Sequence, residues 1–281
     1  MPDHPSPHQP RGFVYVATGA GYVEEAAHSA RSLRRFHPEV PICLITDREL
    51  PGASPFTSVT VRTDVLRKPV DKLLAIHCPF DRAIFLDSDT QIFGDLTPIF
   101  DVLDQFDFAA LQDVNRGWDY ELPGVPACFT EFNTGVLAFK KSPTVVEFFT
   151  RWRRDYDLLQ QKQPQLNLNA DQPAFRHALY HSTLRIAPLP SEFHFLANFP
   201  NATLWRVRLI HGRGNYERIE RQVNELMGPR AYVPSMGVLQ GFGGRKAWLF
   251  SALTWFWRAL RLALKPPADP AKDNPGQWWK Q

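Results

Sequence analysis

The chain has 281 residues, of which 44% are hydrophobic and 22% charged, as expected of a globular protein that can bury a sizeable core. A formal net charge of +3, without any dense block of lysine or arginine, argues against a nucleic-acid surface. The three cysteines are far apart and have no metal-binding spacing, which favours a reducing, cytoplasmic location.

The chain begins with a predicted tail, which strands and helices follow. Residues 1–11 are rich in proline and histidine, predict a disordered tail, and lack the apolar run of a secretory signal. The apolar run Phe13–Thr18 predicts a buried strand, and the apolar stripe from Val23 to Leu33 predicts a helix. Further strands are predicted at Pro41–Asp47 and Thr57–Thr63.

The alternation continues to about residue 210. Helices are predicted at Val70–His77, after Pro98, at Pro143–Leu159 and from Asp171 onward. In the third of these, the residues at core-facing spacing are Val145, Val146, Phe149 and Trp152. Strands are predicted at Ala83–Leu86, Phe106–Gln112, Gly135–Phe139, Leu184–Ala187 and Arg206–Ile210. This pattern predicts an α/β fold with a doubly wound, mainly parallel sheet, which binds ligands beyond the carboxyl ends of its strands.

Two carboxylates follow the strand Ala83–Leu86. Asp87 and Asp89 are two residues apart, so an extended backbone places both side chains on one face. Carboxylates this close repel each other unless a cation neutralises them, and hard oxygen ligands suit Mg²⁺ or Mn²⁺. An isolated Asp-x-Asp is more often a turn with helix-capping aspartates. The buried strand before it and the later motifs favour a metal site instead.

The same motif has a second enzymatic interpretation. Haloacid dehalogenase-like phosphatases also place Asp-x-Asp after an apolar strand, with the first Asp as nucleophile and the second as acid and base. Their motif continues to Thr or Val four positions after the first Asp, where this chain has Gln91. Their motif also follows the first strand, whereas here three predicted strands precede the strand Ala83–Leu86 that carries it. A third alternative is a non-catalytic module that binds a sugar or a nucleotide.

Later motifs reveal a family resemblance. They are FLDSDTQIFGDLTPIF (residues 85–100), FNTGVLAF (residues 132–139), the pair Asp171 and Gln172, and LIHGRG (residues 209–214). In order and spacing, from Phe13 to about Gly214, the chain resembles the retaining glycosyltransferases of the family that includes glycogenin and the bacterial lipooligosaccharide galactosyltransferases. The resemblance implies a GT-A fold over residues 12–236. It also implies a hexosyltransferase that moves a hexose from a nucleotide-diphosphate sugar, a UDP-sugar first of all, to a glycan or glycolipid.

The resemblance also assigns roles to residues. Asp87, Asp89 and His211 would bind Mn²⁺ or Mg²⁺, and Asn133, Asp171 and Gln172 would lie near the reacting sugar. Residues expected to contact the donor nucleotide and its diphosphate are Ala17, Thr18, Gly19, Lys72, Ser88, Gly212, Arg213 and Gly214. Glycines at 212 and 214 would let a diphosphate approach the backbone.

Three of these residues have plain structural alternatives. Asn133 precedes a glycine by two positions and could be a turn residue. Asp171 could cap the helix that follows it. Lys72 could belong to a solvated helix face.

The chain departs from the family pattern at three places, one of which is the last 40 or so residues, which match no part of that pattern. Gly19, Ala20 and Gly21 stand where the family commonly has acidic or polar residues that contact uracil. Glu217 stands three residues after Gly214, where the family usually has a diphosphate-binding lysine. Arg213 or Arg218 could replace that lysine.

Residues 237–281 form a predicted C-terminal region. It consists of a glycine-rich hinge (Gly241–Lys246), an amphipathic aromatic helix (Ala247–Lys265) and a proline-rich tail. The helix is too short and too charged to span a membrane, but it could lie in a lipid headgroup layer. Packing on the catalytic domain or on a second copy is the alternative. A membrane contact predicts a peripheral protein on the inner face of the cell membrane, with a lipid-linked acceptor.

Overall fold

The computed structural model describes residues 10–50, 54–113, 122–163 and 170–239, together with residues 256, 257 and 260. Its strands are β1 (Arg11–Ala17), β2 (Ile42–Thr46), β3 (Ser58–Val61), β4 (Arg82–Leu86), β5 (Thr90–Ile92), β6 (Phe108–Asp113), β7 (Glu131–Lys140), β8 (Ile186–Leu189), β9 (Phe195–Leu196), β10 (Asn201–Thr203), β11 (Leu209–His211), β12 (Arg230–Val233) and β13 (Gly237–Leu239). Its helices are α1 (Ala20–Arg34), α2 (Pro98–Val102), α3 (Pro143–Lys162), α4 (Gln172–Tyr180) and α5 (Tyr216–Asn224), with 3₁₀ helices at Pro69–His77 and Ser191–Phe193.

Seven strands form the central sheet, in the order β3-β2-β1-β4-β7-β6-β8. Within this described sheet the neighbouring pairs are parallel, except the two that β7 makes with β4 and β6. The predicted α/β fold with a mainly parallel sheet is confirmed. The reversed direction of β7 is a feature that the residue pattern did not indicate. Because β7 runs against β4, its first residues lie beside the end of β4, where the Asp-x-Asp motif begins.

Apolar cores cover both faces of this sheet. On one face α1 and α2 contribute buried side chains such as Ala30, Leu33 and Phe100. On the other face α3, α4 and the Pro69–His77 3₁₀ helix contribute buried side chains such as Trp152 and Phe175. Full burial of each large apolar side chain stabilises the fold by roughly 1.5–3 kcal/mol. The helices on both faces follow from strands that are apolar on both sides.

Helix α3 shows one error in the predicted core. Val146 is 45% exposed, whereas Val145, Phe148, Phe149 and Trp152 are buried. The buried stripe starts at Val145 and returns three, four and seven residues later, so Val146 points to solvent. The Trp152 ring lies 4.8 Å from the Phe175 ring of α4, and its indole N–H donates to the Asp171 carbonyl at 3.1 Å. Aromatic packing thus fixes the start of α4 beside the sheet edge.

Two small sheets lie near the carboxyl edge of the central one. β11 pairs antiparallel with β5 and parallel with β9, and β12 lies between β10 and β13. The register pairs His211 with Thr90, the residue after Asp89. The strand predicted at Arg206–Ile210 is observed as the shorter β11, Leu209–His211. Its last residue, His211, lies beside the Asp-x-Asp turn.

Two other predicted helices have different outcomes. The helix predicted at Val70–His77 is a 3₁₀ helix, Pro69–His77. Of the predicted C-terminal helix, only Phe256, Trp257 and Leu260 are described; they are helical and exposed, and the remainder of 247–265 lies outside the described residues. The helices that the structure describes include none with the length and apolar character of a membrane span.

Candidate active site

The side chains of Asp87, Asp89 and His211 converge at the carboxyl edge of the sheet. Each offers one possible ligand atom, and these atoms all lie within 4.8 Å of one another. The Nε2 atom of His211 is 3.4 Å from Asp89 Oδ1 and 3.8 Å from Asp87 Oδ2. The two carboxylates supply the oxygen ligands that Mn²⁺ and Mg²⁺ prefer, and the His211 imidazole would be the third ligand. These three residues could therefore hold one divalent cation.

The pKa values of the two carboxylates are shifted in opposite directions. Burial raises the pKa of Asp87, although the charges of Lys72 and His211 oppose this rise. Burial acts in the same sense on Asp89, but the charges of His211 and Arg213 outweigh it and lower the pKa of that carboxyl. Neighbouring carboxylates behave in this way when their negative charge is incompletely compensated. A divalent cation would supply the missing compensation.

Gly135 makes room for the His211 ring. A Cβ atom at position 135 would lie 2.1 Å from the Cε1 atom of His211, so any larger residue would displace the imidazole. The Gly135 carbonyl also accepts a hydrogen bond of 2.8 Å from the Asp87 N–H. One glycine of β7 thus contacts both ends of the candidate metal site.

Lys72 is a buried cation between two carboxylates. Its Nζ atom lies 3.2 Å from Asp87 Oδ2, 3.3 Å from Asp171 Oδ1 and 3.2 Å from Thr134 Oγ1. Burial acts against its charge, but Asp171 and Asp87 together raise the pKa of the ammonium group. With an exposure of 7%, Lys72 does not lie on the solvated helix face considered above. It connects the Asp-x-Asp motif to the start of α4.

Asp171 stands before α4, but it does not cap the helix through its side chain. Its carboxylate makes no capping hydrogen bond. One carboxylate oxygen pairs with Lys72, and the other, Oδ2, is buried without a hydrogen-bond partner among the described residues. A buried, unpaired carboxylate oxygen is costly unless a ligand group reaches it.

Asn133 and Gln172 belong to a buried polar cluster. The Asn133 amide nitrogen donates to Asp113 Oδ2 at 2.9 Å, and the Gln172 amide nitrogen donates to the same oxygen at 3.2 Å. Gln172 also lies 3.4 Å from Glu131 Oε1. The side-chain Oδ1 of Asn133 accepts a hydrogen bond of 2.9 Å from the Gly135 N–H, which is the turn contact considered above. Burial raises the pKa of Glu131 to about 7.

Asp113 and Glu131 did not emerge from the sequence. They are opposed across the β6–β7 register. No motif marks them; Asp113 directly follows the predicted strand Phe106–Gln112, whereas Glu131 lies four residues before the predicted strand Gly135–Phe139.

A cleft of about 230 Å³ opens beside the three candidate ligands. Of the residues expected to contact the donor nucleotide, those that line it are Ala17, Thr18, Lys72, Ser88 and Arg213. Lining residues that the sequence analysis did not assign to the site include Tyr22, Arg67, Lys68 and Asp71. Four lining residues are basic, namely Arg67, Lys68, Lys72 and Arg213, and they stand beside the carboxylates of Asp71, Asp87 and Asp89. Basic groups of this kind can bind a phosphate ligand.

The glycines expected at the donor site hold turns around this cleft. Gly19 has a φ of 92° at the start of α1, and its N–H donates to Asp47 Oδ1 at 3.1 Å. Gly212 has a φ of 103°, and its N–H donates to the Asp89 carbonyl at 2.9 Å. Both positions lie in the left-handed region, where only glycine is unstrained. Gly214 lies two residues farther along and is exposed.

Arg213 spans the cleft to α1. Its guanidinium forms two hydrogen bonds with Glu25, at 2.9 and 3.0 Å, and its Nη1 atom lies 3.8 Å from Asp89 Oδ2. Glu25 also accepts a bond of 2.6 Å from Ser88 Oγ. Of the two arginines considered as substitutes for a lysine at position 217, Arg213 lines the described cleft and Arg218 does not.

Comparisons with known proteins identify the fold. No family model matches the chain, and no curated protein sequence matches it. The galactosyltransferase LgtC, in complex with donor and acceptor sugar analogues, is similar over 72% of this chain and 87% of its own, at 16% identity and a TM-score of 0.51. An active-site variant of LgtC is similar over 73% of this chain and 88% of its own, at 16% identity and a TM-score of 0.50.

The apo form of the glycosyltransferase GlyE of Streptococcus pneumoniae TIGR4 is similar over 89% of this chain at 15% identity and a TM-score of 0.51. This chain spans 64% of the length of that GlyE chain. The fold is therefore that of the GT-A glycosyltransferases, which confirms the fold that the sequence motifs implied. This fold favours the glycosyltransferase interpretation of the Asp-x-Asp motif over the phosphatase alternative.

Proposed function

We propose that this protein is a metal-dependent glycosyltransferase that moves a hexose from a nucleotide-diphosphate sugar to a glycan or glycolipid, with retention of configuration. The observation that carries the proposal is the convergence of Asp87, Asp89 and His211 within 4.8 Å at the edge of a cleft that basic side chains also line, in a GT-A fold. The motifs implied this set of residues, and β5–β11 pairing brings them together.

The leaving group would be stabilised at the mouth of the cleft. A divalent cation held by Asp87, Asp89 and His211 would neutralise charge on the departing nucleoside diphosphate. Arg213 and the basic residues Arg67 and Lys68 would add fixed positive charge to the same group. Arg213 would exchange its Glu25 contact for a phosphate oxygen when the donor binds.

The nucleoside would occupy the part of the cleft near α1. Tyr22 lines that part and is 53% exposed, so its ring offers a surface on which a base can stack. Its neighbours Gly19 and Gly21 provide no side chain to read the base, so specificity for uracil is not assured by this segment. UDP-sugars are nevertheless the first donors to test, because the family resemblance points to them.

The sugar would lie beside Lys72 and the start of α4. Lys72 lines the cleft and holds the buried Asp171 carboxylate in place. Gln172 would lie near the reacting face. Asp171 is already paired with a lysine, which disfavours it as a nucleophile of a double displacement. We therefore favour front-face attack: the acceptor oxygen bonds to the anomeric carbon while the bond to the diphosphate breaks, and the acceptor proton passes to the departing phosphate oxygen.

We also propose that the acceptor is a glycolipid or lipid-linked saccharide, and that the protein works at the cytoplasmic face of the membrane. The support is the aromatic, partly basic pattern of residues 247–265, together with the 62% exposure of Trp257.

Hydrolysis of nucleotide sugars tests the proposed activity. UDP-, GDP- and ADP-sugars are offered with Mn²⁺, Mg²⁺ or EDTA, and release of the nucleoside diphosphate is measured. We expect release from at least one donor only when a metal is present. No release from any donor, with or without an acceptor, would favour a binding module. For the active donor, NMR of the product reports the anomeric configuration, and an inverted product would contradict front-face attack.

A further inference from the structure

His194 is a buried residue that the proposed reaction does not yet use. It follows the 3₁₀ helix Ser191–Phe193, has an exposure of 0%, and lies next to His211. Its Nε2 atom is 2.9 Å from the Nδ1 atom of His211, and the ring centroids are 5.0 Å apart. This is a hydrogen bond to the ring nitrogen of His211 that faces away from Asp87 and Asp89.

The other nitrogen of His194 makes this pair unusual. Nδ1 of His194 is buried and has no hydrogen-bond partner among the described residues. A histidine retained only for packing would leave this polar atom as a cost that an apolar side chain of similar size avoids. The fully buried His194 is therefore better explained by what its Nε2 atom does.

The chemistry of the His211 ring indicates that role. If Nε2 of His211 binds a cation, that nitrogen must offer its lone pair, so the ring proton lies on Nδ1. The proton then needs an acceptor, and His194 Nε2 is placed to accept it. Gly135 closes the ring in from another side, since a Cβ atom there would overlap it. The ring thus has a fixed position and a fixed direction for its metal-facing nitrogen.

We propose that His194 is a positioning residue, which sets the tautomer and orientation of His211 for binding a divalent cation. The inference rests on the proposed metal site. Partners of this kind, bonded to a metal-bound imidazole, typically change metal affinity by about 10- to 100-fold when removed.

Two substitutions of His194 separate this role from simple packing. In His194→Gln the side-chain amide reaches the position of Nε2 and can accept the His211 proton. In His194→Met the volume is similar, but no comparable acceptor is present. His37→Met is the matched control, because His37 is also buried and accepts the Leu96 N–H at 3.1 Å through its own Nε2.

Electron paramagnetic resonance of free Mn²⁺ gives the metal dissociation constant without donor, and thermal unfolding gives the stability of each variant. We expect His194→Met to weaken Mn²⁺ binding by about 10-fold or more, while His194→Gln and His37→Met stay within about threefold of the wild type. Wild-type affinity in His194→Met, or an equal loss in His194→Gln, would overturn the proposal. A wild-type chain that binds no Mn²⁺ would instead contradict the proposed function itself.

A measurement on the unmodified protein keeps the test independent of how the variants fold. With diamagnetic Mg²⁺, ¹⁵N NMR of the imidazoles reports which nitrogen of His211 carries the proton. We expect the proton on Nδ1, bonded to His194. A proton on Nε2 in the Mg²⁺-saturated protein would overturn the inference.

Discussion

At the scale of single residues, the charges of the cleft are held in compensating pairs. Lys72 forms ion pairs with Asp87 and Asp171, and Arg213 forms ion pairs with Glu25 and Asp89. The Asp87 and Asp89 carboxylates nevertheless face a single imidazole. A donor that brings a diphosphate and a divalent cation would satisfy both the basic and the acidic groups at once.

His211 offers the first prediction at this scale. We expect His211→Ala to weaken donor binding in the presence of Mn²⁺ by about 10-fold or more, or at least about 1.4 kcal/mol, because one of three ligands is lost. Acceptor binding should change little. Calorimetry of the donor with Mn²⁺ measures the effect, and an unchanged donor affinity would show that His211 has only a packing role.

Glu131 leads to a prediction about stability and pH. The folded state raises the pKa of this carboxyl to about 7, mainly through burial, against about 4.3 for an unfolded chain. The folded protein thus holds a proton that the unfolded chain releases. The stabilising contribution is complete below about pH 4 and is lost as the pH rises through 7.

Glu131→Gln removes this titration, because it replaces the carboxyl with an amide of nearly the same size and shape. Between pH 5 and pH 8 the wild type should lose about 2 kcal/mol more of its free energy of unfolding than the variant does. Urea unfolding at both pH values measures the difference. Parallel stability curves for the two proteins would mean that Glu131 titrates normally.

Residues with and without local motifs differ in how far the sequence predicts them. Asp87, Asp89 and His211 each belong to a short motif at the end of an apolar strand, so the sequence alone indicated them. Asp113, Glu131 and His194 carry no motif. Strand pairing brings Asp113 and Glu131 together, and His194 reaches the site through its side-chain contact with His211. Their roles depend on contacts with residues distant in the chain, and no local pattern in the sequence indicates such contacts.

At the scale of elements, the site depends on how β7 and β11 meet. β7 supplies Gly135, and β11 supplies the His211 ring that occupies the space beside it. We expect Gly135→Ala to displace this ring by an ångström or more and to lower turnover on the order of 100-fold, because a methyl group would overlap the ring. The measurement is turnover at saturating donor and Mn²⁺, with thermal unfolding to follow the fold.

Gly21→Ala is a stability control for that substitution, because it adds the same methyl group at another glycine. Gly21 lies in α1, and a Cβ atom there would contact nothing within 4 Å. Alanine favours a helix over glycine by up to about 1 kcal/mol, so this variant should be as stable as the wild type or more so. Wild-type turnover in Gly135→Ala would contradict the role assigned to Gly135.

The elements of the sheet were predictable to different degrees. Long apolar runs such as β1 and β4 are visible in the sequence because their burial on both faces requires them. Strand β9 has only two residues and β5 only three, too few for any periodicity. The direction of β7 is a property of the assembled sheet, and the order of apolar and polar residues does not encode it locally.

At the scale of the whole molecule, the open question is where the C-terminal region acts. If residues 247–265 bind a lipid surface, the full chain should float with liposomes that contain anionic lipid, and a chain truncated after Gly244 should not. The truncated chain should retain hydrolysis of the free donor but lose transfer to a lipid-linked acceptor. A full chain that stays unbound, with the same activities as the truncated one, would favour packing of this region on the protein.

The most direct test of a metal-dependent glycosyltransferase is the turnover of Asp87→Asn and Asp89→Asn with the donor that the wild type uses. Each change removes a negative charge from the candidate metal site while preserving the size of a side chain at a strand end. We expect each variant to lose on the order of 100-fold or more in turnover at ordinary Mn²⁺ concentrations, with an unchanged circular dichroism spectrum and thermal midpoint. Wild-type turnover by either variant would contradict the assignment of Asp87, Asp89 and His211 as the metal site of the enzyme.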